Sequence, residues 1–140
     1  MKKLLAEYLG TTLLVAIVVG SGIMATDLTQ DVGLQLLINT IATVFGIAVL
    51  ILILAPISGA HFNPVVTLVD LIQGKSSILQ FIQYVIAQVG GAISGALLAN
   101  AMFDHAIVET ATKLRSGNNL YLAEIVATAG LIFVINLLVA

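Results

Sequence analysis

The sequence contains no cysteine and very few charged residues. Without cysteine, it can form no disulfide, no thiolate nucleophile and no cysteine metal site. Charged residues make up 9% of the 140 residues, whereas about a quarter is usual in soluble domains. The net charge is −2 and the longest Lys/Arg run is Lys2-Lys3, so no surface for binding nucleic acid is expected.

Long apolar stretches dominate what is present. Hydrophobic residues make up 60% of the chain, and the mean hydropathy is +1.16. Residues 8–26, 32–69, 76–103 and 125–140 contain no Asp, Glu, Lys or Arg, and a membrane span needs about 20 mostly apolar residues. We therefore expect an all-α, multi-pass membrane protein in a lipid bilayer, with full spans at about 4–25, 34–55, 79–103 and 120–140. A secretory signal at the N-terminus is the alternative for the first span, but Glu7 within the apolar stretch argues against it.

The fourth span resembles a second copy of the first. A shift of 117 residues aligns Leu5-Ala6-Glu7 with Leu122-Ala123-Glu124. Three crossings separate the copies, so the pattern indicates an inverted repeat within one transmembrane domain, 1–140, with repeat 1 at about 1–104 and repeat 2 beginning at about 118–140. Chance similarity between apolar helices is the alternative. The counterpart of Asn63 would fall beyond Ala140, which predicts an incomplete second half.

The positive charges give a small preference for membrane orientation. With the N-terminus inside, Lys2, Lys3 and Lys75 are cytoplasmic, and Lys113 and Arg115 are outside. Three against two favours this orientation only weakly.

The segment from Pro56 to Gly74 predicts a half-helix. Its first residues are helix breakers, so helix 2 is expected to end near Ala55. Asn63-Pro64 is a strong helix start, and a helix from there to Ile72 would reach about 15 Å, half of a hydrocarbon core. Irregular backbone at membrane depth lines a water-filled cavity or is buried in protein, so residues 58–62 are expected to border a pore. The positive end of the half-helix dipole would oppose cations there, which predicts an uncharged solute.

Residues 58–67 read SGAHFNPVVT, which resembles the first Asn-Pro-Ala signature of the major intrinsic proteins, the aquaporin and glycerol-facilitator family. Glu7 and Glu124, each four residues before a threonine, are similar to that family's paired Glu-x-x-x-Thr motifs. The sequence departs from the pattern in two ways. Val65 replaces the usual alanine, and the second signature with its filter arginine is absent.

The resemblance implies a passive channel for water and small neutral solutes such as glycerol, in an aquaporin-like fold of four spans plus one re-entrant half-helix. It also implies a homo-oligomer, by family pattern a tetramer, in the inner cell membrane. No enzymatic activity, cofactor or metal is expected, since the sequence shows no Ser/His/Asp set, clustered ligands or phosphate loop. The amino-acid sequence is most similar to bacterial members of the family that are associated with arsenic handling, which makes arsenous acid a candidate solute. The alternative is a non-conducting fragment or assembly subunit that needs a partner to complete a pore.

Site residues follow from the same resemblance. Glu7 and Glu124 would brace re-entrant loops, although each alone could be an interfacial carboxylate. His61 could carry protons or bind a metal, but without a nearby carboxylate or second ligand in the sequence we interpret it as pore-lining. The residues expected at the pore or its selectivity filter are Thr43, Gly59, Ala60, His61, Phe62, Asn63, Pro64 and Val65.

Overall fold

The computed structural model describes residues 1–109 and 116–139, and these ranges contain helices and no strand. The helices are α1 (Lys2–Leu28), α2 (Val32–Ser58), α3 (Pro64–Ile72), α4 (Ile78–Met102) and α5 (Asn118–Val139). All except α3 are long and apolar enough to cross a membrane. The expected all-α fold with four spans is confirmed. Lys113, Arg115 and Ala140 lie outside the described residues.

Helix α2 does not end where the sequence predicts. It begins after Asp31, whose Oδ1 accepts the Leu34 N–H at 3.0 Å, and it continues through Pro56 to Ser58. The expected end near Ala55 is three residues early, because Pro56 lacks only its own N–H and the helix continues through it. The helix stops at Gly59, which adopts a left-handed conformation with φ of 96°.

The short helix α3 starts as the Asn-Pro pair predicts. Asn63 is the N-cap, and its Oδ1 accepts the Val65 N–H at 2.8 Å. Pro64 occupies the first helical position, where a missing N–H costs nothing. Nine residues give α3 a length of about 14 Å, too short to cross a bilayer alone.

Two glycines of α4 allow α1 and α4 to pack backbone against backbone. A methyl group added at Gly91 would lie 2.5 Å from the Tyr8 carbonyl oxygen, and one added at Gly95 would overlap the Thr12 carbonyl. Such contacts between small residues are a common way for membrane helices to associate. Helix α1 also packs against α2, and α3 packs against α4.

The chain divides into two compact units. The first, Met1–Glu109, contains α1 to α4 and carries the buried residues around the loop between α2 and α3. The second, Thr110–Ala140, contains α5.

Candidate functional site

The loop between α2 and α3 has an unusual backbone. Gly59, Ala60 and Phe62 have positive φ angles of 96°, 51° and 48°. A left-handed conformation costs a residue with a side chain about 1–2 kcal/mol, so Ala60 and Phe62 are unfavourable unless other groups hold them. Such clusters of strained residues are found where neighbouring structure fixes a functional loop.

The carboxylate of Glu7 holds this loop. Glu7 has an exposed fraction of 0%. Its Oε1 accepts hydrogen bonds from Ser58 Oγ at 2.6 Å and the His61 N–H at 3.0 Å. Its Oε2 accepts from the Phe62 N–H at 2.8 Å and Gln88 Nε2 at 2.9 Å. Successive N–H groups in a loop with left-handed residues form a concave anion site, and here a side chain of α1 fills it.

Further contacts fix the loop on either side of this carboxylate. The Tyr84 hydroxyl donates to the Ser58 carbonyl oxygen at 2.8 Å, and Tyr84 is almost completely buried. The Phe62 ring packs against α1 at Gly10, where a methyl group would overlap the ring. The loop is therefore tied to α1 through Glu7 and Gly10 and to α4 through Gln88 and Tyr84.

His61 lies between two polar side chains of α3. Its Nδ1 is 3.1 Å from Thr67 Oγ1, and its Nε2 is 3.2 Å from Asp70 Oδ2. The ring also makes an edge contact with Tyr84, with 5.4 Å between ring centroids. The interpretation of His61 as a histidine without a nearby carboxylate is wrong, because the turn at the loop brings it back along α3.

Asn63 keeps one free donor after capping α3. Its side chain is partly exposed, and its Nδ2 makes no hydrogen bond within residues 1–109 and 116–139. Pro64 and Val65 beside it are exposed, Val65 with an exposed fraction of 40%. The start of α3 therefore presents an amide donor and an accessible surface.

Two other expected site residues, Thr43 and Glu124, are on α2 and α5. Thr43 is on α2, and its hydroxyl is buried with no hydrogen-bond partner in the part of the chain that the structure describes. Glu124 is on α5 and is exposed within its own unit. No group of three or more potential metal ligands occurs among the described residues.

Gln88, Tyr84 and Asp70 were not expected at the site. Gln88 is one of several polar residues in the apolar helices, and nothing in the sequence separates it from the others. Asp70 falls seven residues after Asn63, near the end of the half-helix, so helical spacing from Thr67 could have placed both on one face of α3.

These observations define a multi-pass α-helical membrane protein with a short helix that begins at a strained, carboxylate-braced Asn-Pro loop. The family model "Major intrinsic protein" matches residues 1–139, and the chain belongs to this family.

Curated relatives agree with this assignment. Aquaglyceroporin AqpS of Rhizobium meliloti (strain 1021) is 51% identical over 94% of this chain and 56% of its own length. Aquaporin C of Dictyostelium discoideum is 32% identical over 96% of this chain and 51% of its own length. Aquaporin NIP1-2 of Arabidopsis thaliana is 35% identical over 97% of this chain and 49% of its own length. The chain thus spans about half the length of the curated relatives it matches.

Proposed function

We propose that this chain forms part of a passive membrane channel for water and small neutral solutes, with residues 59–63 lining the water-filled path. The observation that carries the proposal is the start of α3. There, Asn63 uses its side-chain oxygen to cap the helix and keeps its Nδ2 as a free donor at the end of a helix too short to span a bilayer. Irregular backbone of this kind is stable at membrane depth where it borders a cavity.

The loop supplies acceptors to match this donor. Glu7 engages the N–H groups of His61 and Phe62. The carbonyl oxygens of residues 59–62 accept no hydrogen bond within the described ranges, which leaves them available to a solute hydroxyl or to water. A neutral molecule could therefore exchange its hydration for the Asn63 amide and loop carbonyls. The partial positive charge at the α3 N-terminus opposes cations at the same point.

In this proposal the eight pore and filter residues act at the path or in the elements beside it. Asn63 orients the solute, Gly59, Ala60, His61 and Phe62 shape the loop beside the path, and Pro64 and Val65 form the start of the half-helix. Thr43 contributes to the filter from α2. Glu7 braces this loop, and Glu124 would brace a corresponding loop of the second repeat.

The solute is proposed to include glycerol as well as water. A threonine at the filter position suits a wider pore than an aromatic side chain would, and a relative 51% identical to the chain is named an aquaglyceroporin. Arsenous acid, a small neutral hydroxyl compound, is a further candidate. The chain would act as a channel and not as an enzyme, in a homo-oligomer such as a tetramer, in the inner cell membrane. Residues 1–104 would form one repeat and 118–140 the beginning of the second.

A second candidate is an assembly subunit that conducts only with a partner. Two observations on α5 favour it. The helix is long and apolar enough to cross a membrane, and it carries one carboxylate, Glu124. A carboxylate in an apolar membrane helix normally faces protein or a cavity, so a second surface would satisfy it.

Stopped-flow light scattering on proteoliposomes tests the proposal. We expect water and glycerol to equilibrate faster than in empty vesicles. Asn63→Asp keeps an N-cap acceptor but removes the amide donor and adds charge, so it should abolish the increase. Asn119→Asp, which adds the same charge at an exposed position on α5, should leave it unchanged. Permeability equal to that of empty vesicles would favour the assembly subunit. Equal flux in the wild type and Asn63→Asp would contradict the role of Asn63.

A further inference from the structure

Both ring nitrogens of His61 have partners on one face of α3. Thr67 and Asp70 are three residues apart in this helix, so their side chains lie on the same side, one turn apart. His61 approaches that face from the loop, with Nδ1 at 3.1 Å from Thr67 Oγ1 and Nε2 at 3.2 Å from Asp70 Oδ2. The side chain of His61 has an exposed fraction of 9% and that of Asp70 29%.

The contact with Asp70 decides where the ring carries its hydrogen. A carboxylate is an acceptor, so a bond at Nε2 requires the hydrogen on Nε2. A ring with its only hydrogen on Nδ1 would direct the Nε2 lone pair at the carboxylate and lose this bond. The side of the ring that faces Asp70 therefore favours the Nε2–H form.

The contacts of Thr67 are compatible with this assignment. Gln88 Nε2 donates to Thr67 Oγ1 at 3.0 Å, and the same Gln88 nitrogen donates to Glu7 Oε2, which fixes the amide orientation. The Thr67 hydroxyl hydrogen can go to His61 Nδ1 or to the Asn63 carbonyl, 3.1 Å away. The Asn63 carbonyl accepts the Thr67 N–H and has a second lone pair that can accept the hydroxyl hydrogen as well. A hydroxyl that donates to His61 Nδ1 makes Nδ1 the acceptor and leaves the ring hydrogen on Nε2, facing Asp70. A hydroxyl that donates to the Asn63 carbonyl leaves an acceptor oxygen at Nδ1, so the contact with Asp70 carries the assignment.

A continuous set of hydrogen bonds therefore joins the two carboxylates on either side of the loop. It runs from Glu7 through Gln88, Thr67 and His61 to Asp70. Glu7 holds the loop backbone, and Asp70 holds the ring of the residue in the middle of it.

We propose that Asp70 is a positioning residue that fixes His61 with its hydrogen on Nε2 and its ring against α3. His61 then presents neither ring nitrogen to a passing solute, and its side chain is part of the support of the loop. This revises the pore-lining role expected for the ring and leaves solute contact to Asn63 and the loop carbonyls. The assignment stands on the geometry alone, and only its effect on flux rests on the proposed channel function.

Nitrogen-15 NMR of the histidine rings in liposomes tests this directly. The chain has two histidines, His61 and His105, so His105→Gln leaves a single ring whose signals belong to His61. We expect a directly bonded hydrogen on Nε2 in this otherwise wild-type chain. A ring protonated on Nδ1 alone would overturn the proposal before any further variant is made.

Variants at Asp70 separate positioning from general structure. Asp70→Leu removes the acceptor and should move the hydrogen from Nε2 to a mixture of the two nitrogens. Asp70→Asn keeps an oxygen acceptor and should restore the Nε2–H form. Asp27→Leu, at an exposed position near the end of α1, is the matched control and should leave the ring signals unchanged. Unchanged signals in Asp70→Leu would overturn the role of Asp70.

Flux provides the second readout. Asp70→Leu should lower glycerol permeability several-fold, and Asp70→Asn should restore most of it. A wild type that shows the Nε2–H form but no permeability would contradict the channel function and leave the His61–Asp70 assignment intact. A permeable wild type with the His61 hydrogen on Nδ1 alone would contradict the His61–Asp70 assignment and leave the channel function intact.

Discussion

Replacing Glu7 by glutamine should lower the stability of the first unit more than any other loss of a single charge. The substitution keeps the shape of the side chain but converts one acceptor oxygen into an amide donor. Two of the four donors around Glu7 then face another donor, either Ser58 and His61 at Oε1 or Phe62 and Gln88 at Oε2.

The magnitude follows from these contacts. A hydrogen bond to a charged group is worth about 1.5–3 kcal/mol, so two lost bonds amount to roughly 3–6 kcal/mol. The loop can then relax at Ala60 or Phe62, which recovers about 1–2 kcal/mol of backbone strain. The free energy of unfolding should therefore fall by about 1–5 kcal/mol.

The assay is unfolding of the purified chain by SDS in mixed micelles, followed by far-UV circular dichroism because the chain has no tryptophan. Glu109→Gln is the matched control, since it removes the same charge from an exposed side chain and should change the free energy by less than about 0.5 kcal/mol. The reasoning is refuted if both variants lose the same small amount, because Glu7 would then not hold the loop.

Two further predictions concern the packing of the same loop. Gly10→Ala places a methyl group where the Phe62 ring lies and should lower the free energy of unfolding by about 1–3 kcal/mol. Gly130→Ala on α5 has open space around the new methyl group and should have little effect. Equal effects of the two substitutions would contradict the contact between Gly10 and Phe62. Tyr84→Phe removes the hydrogen bond to the Ser58 carbonyl and should lower the free energy of unfolding by about 1 kcal/mol or more. The SDS titration measures this change. An unchanged free energy would show that the hydrogen bond does not stabilise the loop.

The spans and the half-helix could be predicted because they depend on local properties. Uninterrupted apolar stretches longer than about 18 residues indicate membrane helices, and Asn63-Pro64 combines an N-cap with the favoured first residue. The end of α2 could not be placed correctly. Proline at position 56 is a helix breaker by local rules, but the helix runs through it and stops at Gly59, which has a left-handed conformation.

The contacts that hold the loop could be predicted only in part. The family resemblance implies that Glu7 is a brace, but the partners of its carboxylate depend on how α4 packs on α1. Close approach at Gly91 and Gly95 sets this packing and places Gln88 beside Glu7. No local pattern shows which of several polar residues on α4 faces the loop.

Neither the pairing of His61 with Asp70 nor the left-handed loop has a local signal. Positive φ angles at Ala60 and Phe62 are disfavoured for these residue types, so the sequence argues against them. They occur because Glu7 accepts both loop N–H groups. The reversal of the chain that follows is what brings His61 alongside Asp70, nine residues later.

The most direct test of the proposed channel compares glycerol and proton entry in the same vesicles. Proteoliposomes are loaded with a pH-sensitive dye. They are mixed with glycerol in one experiment, and in the other the external medium is made more acidic than the interior. The account predicts that the vesicles swell faster than empty vesicles and that their interior acidifies no faster. The reason is that the α3 N-terminus and the Asn63 amide accommodate neutral hydroxyl compounds and oppose cations. Swelling no faster than in empty vesicles, or acidification that rises with it, would contradict the account.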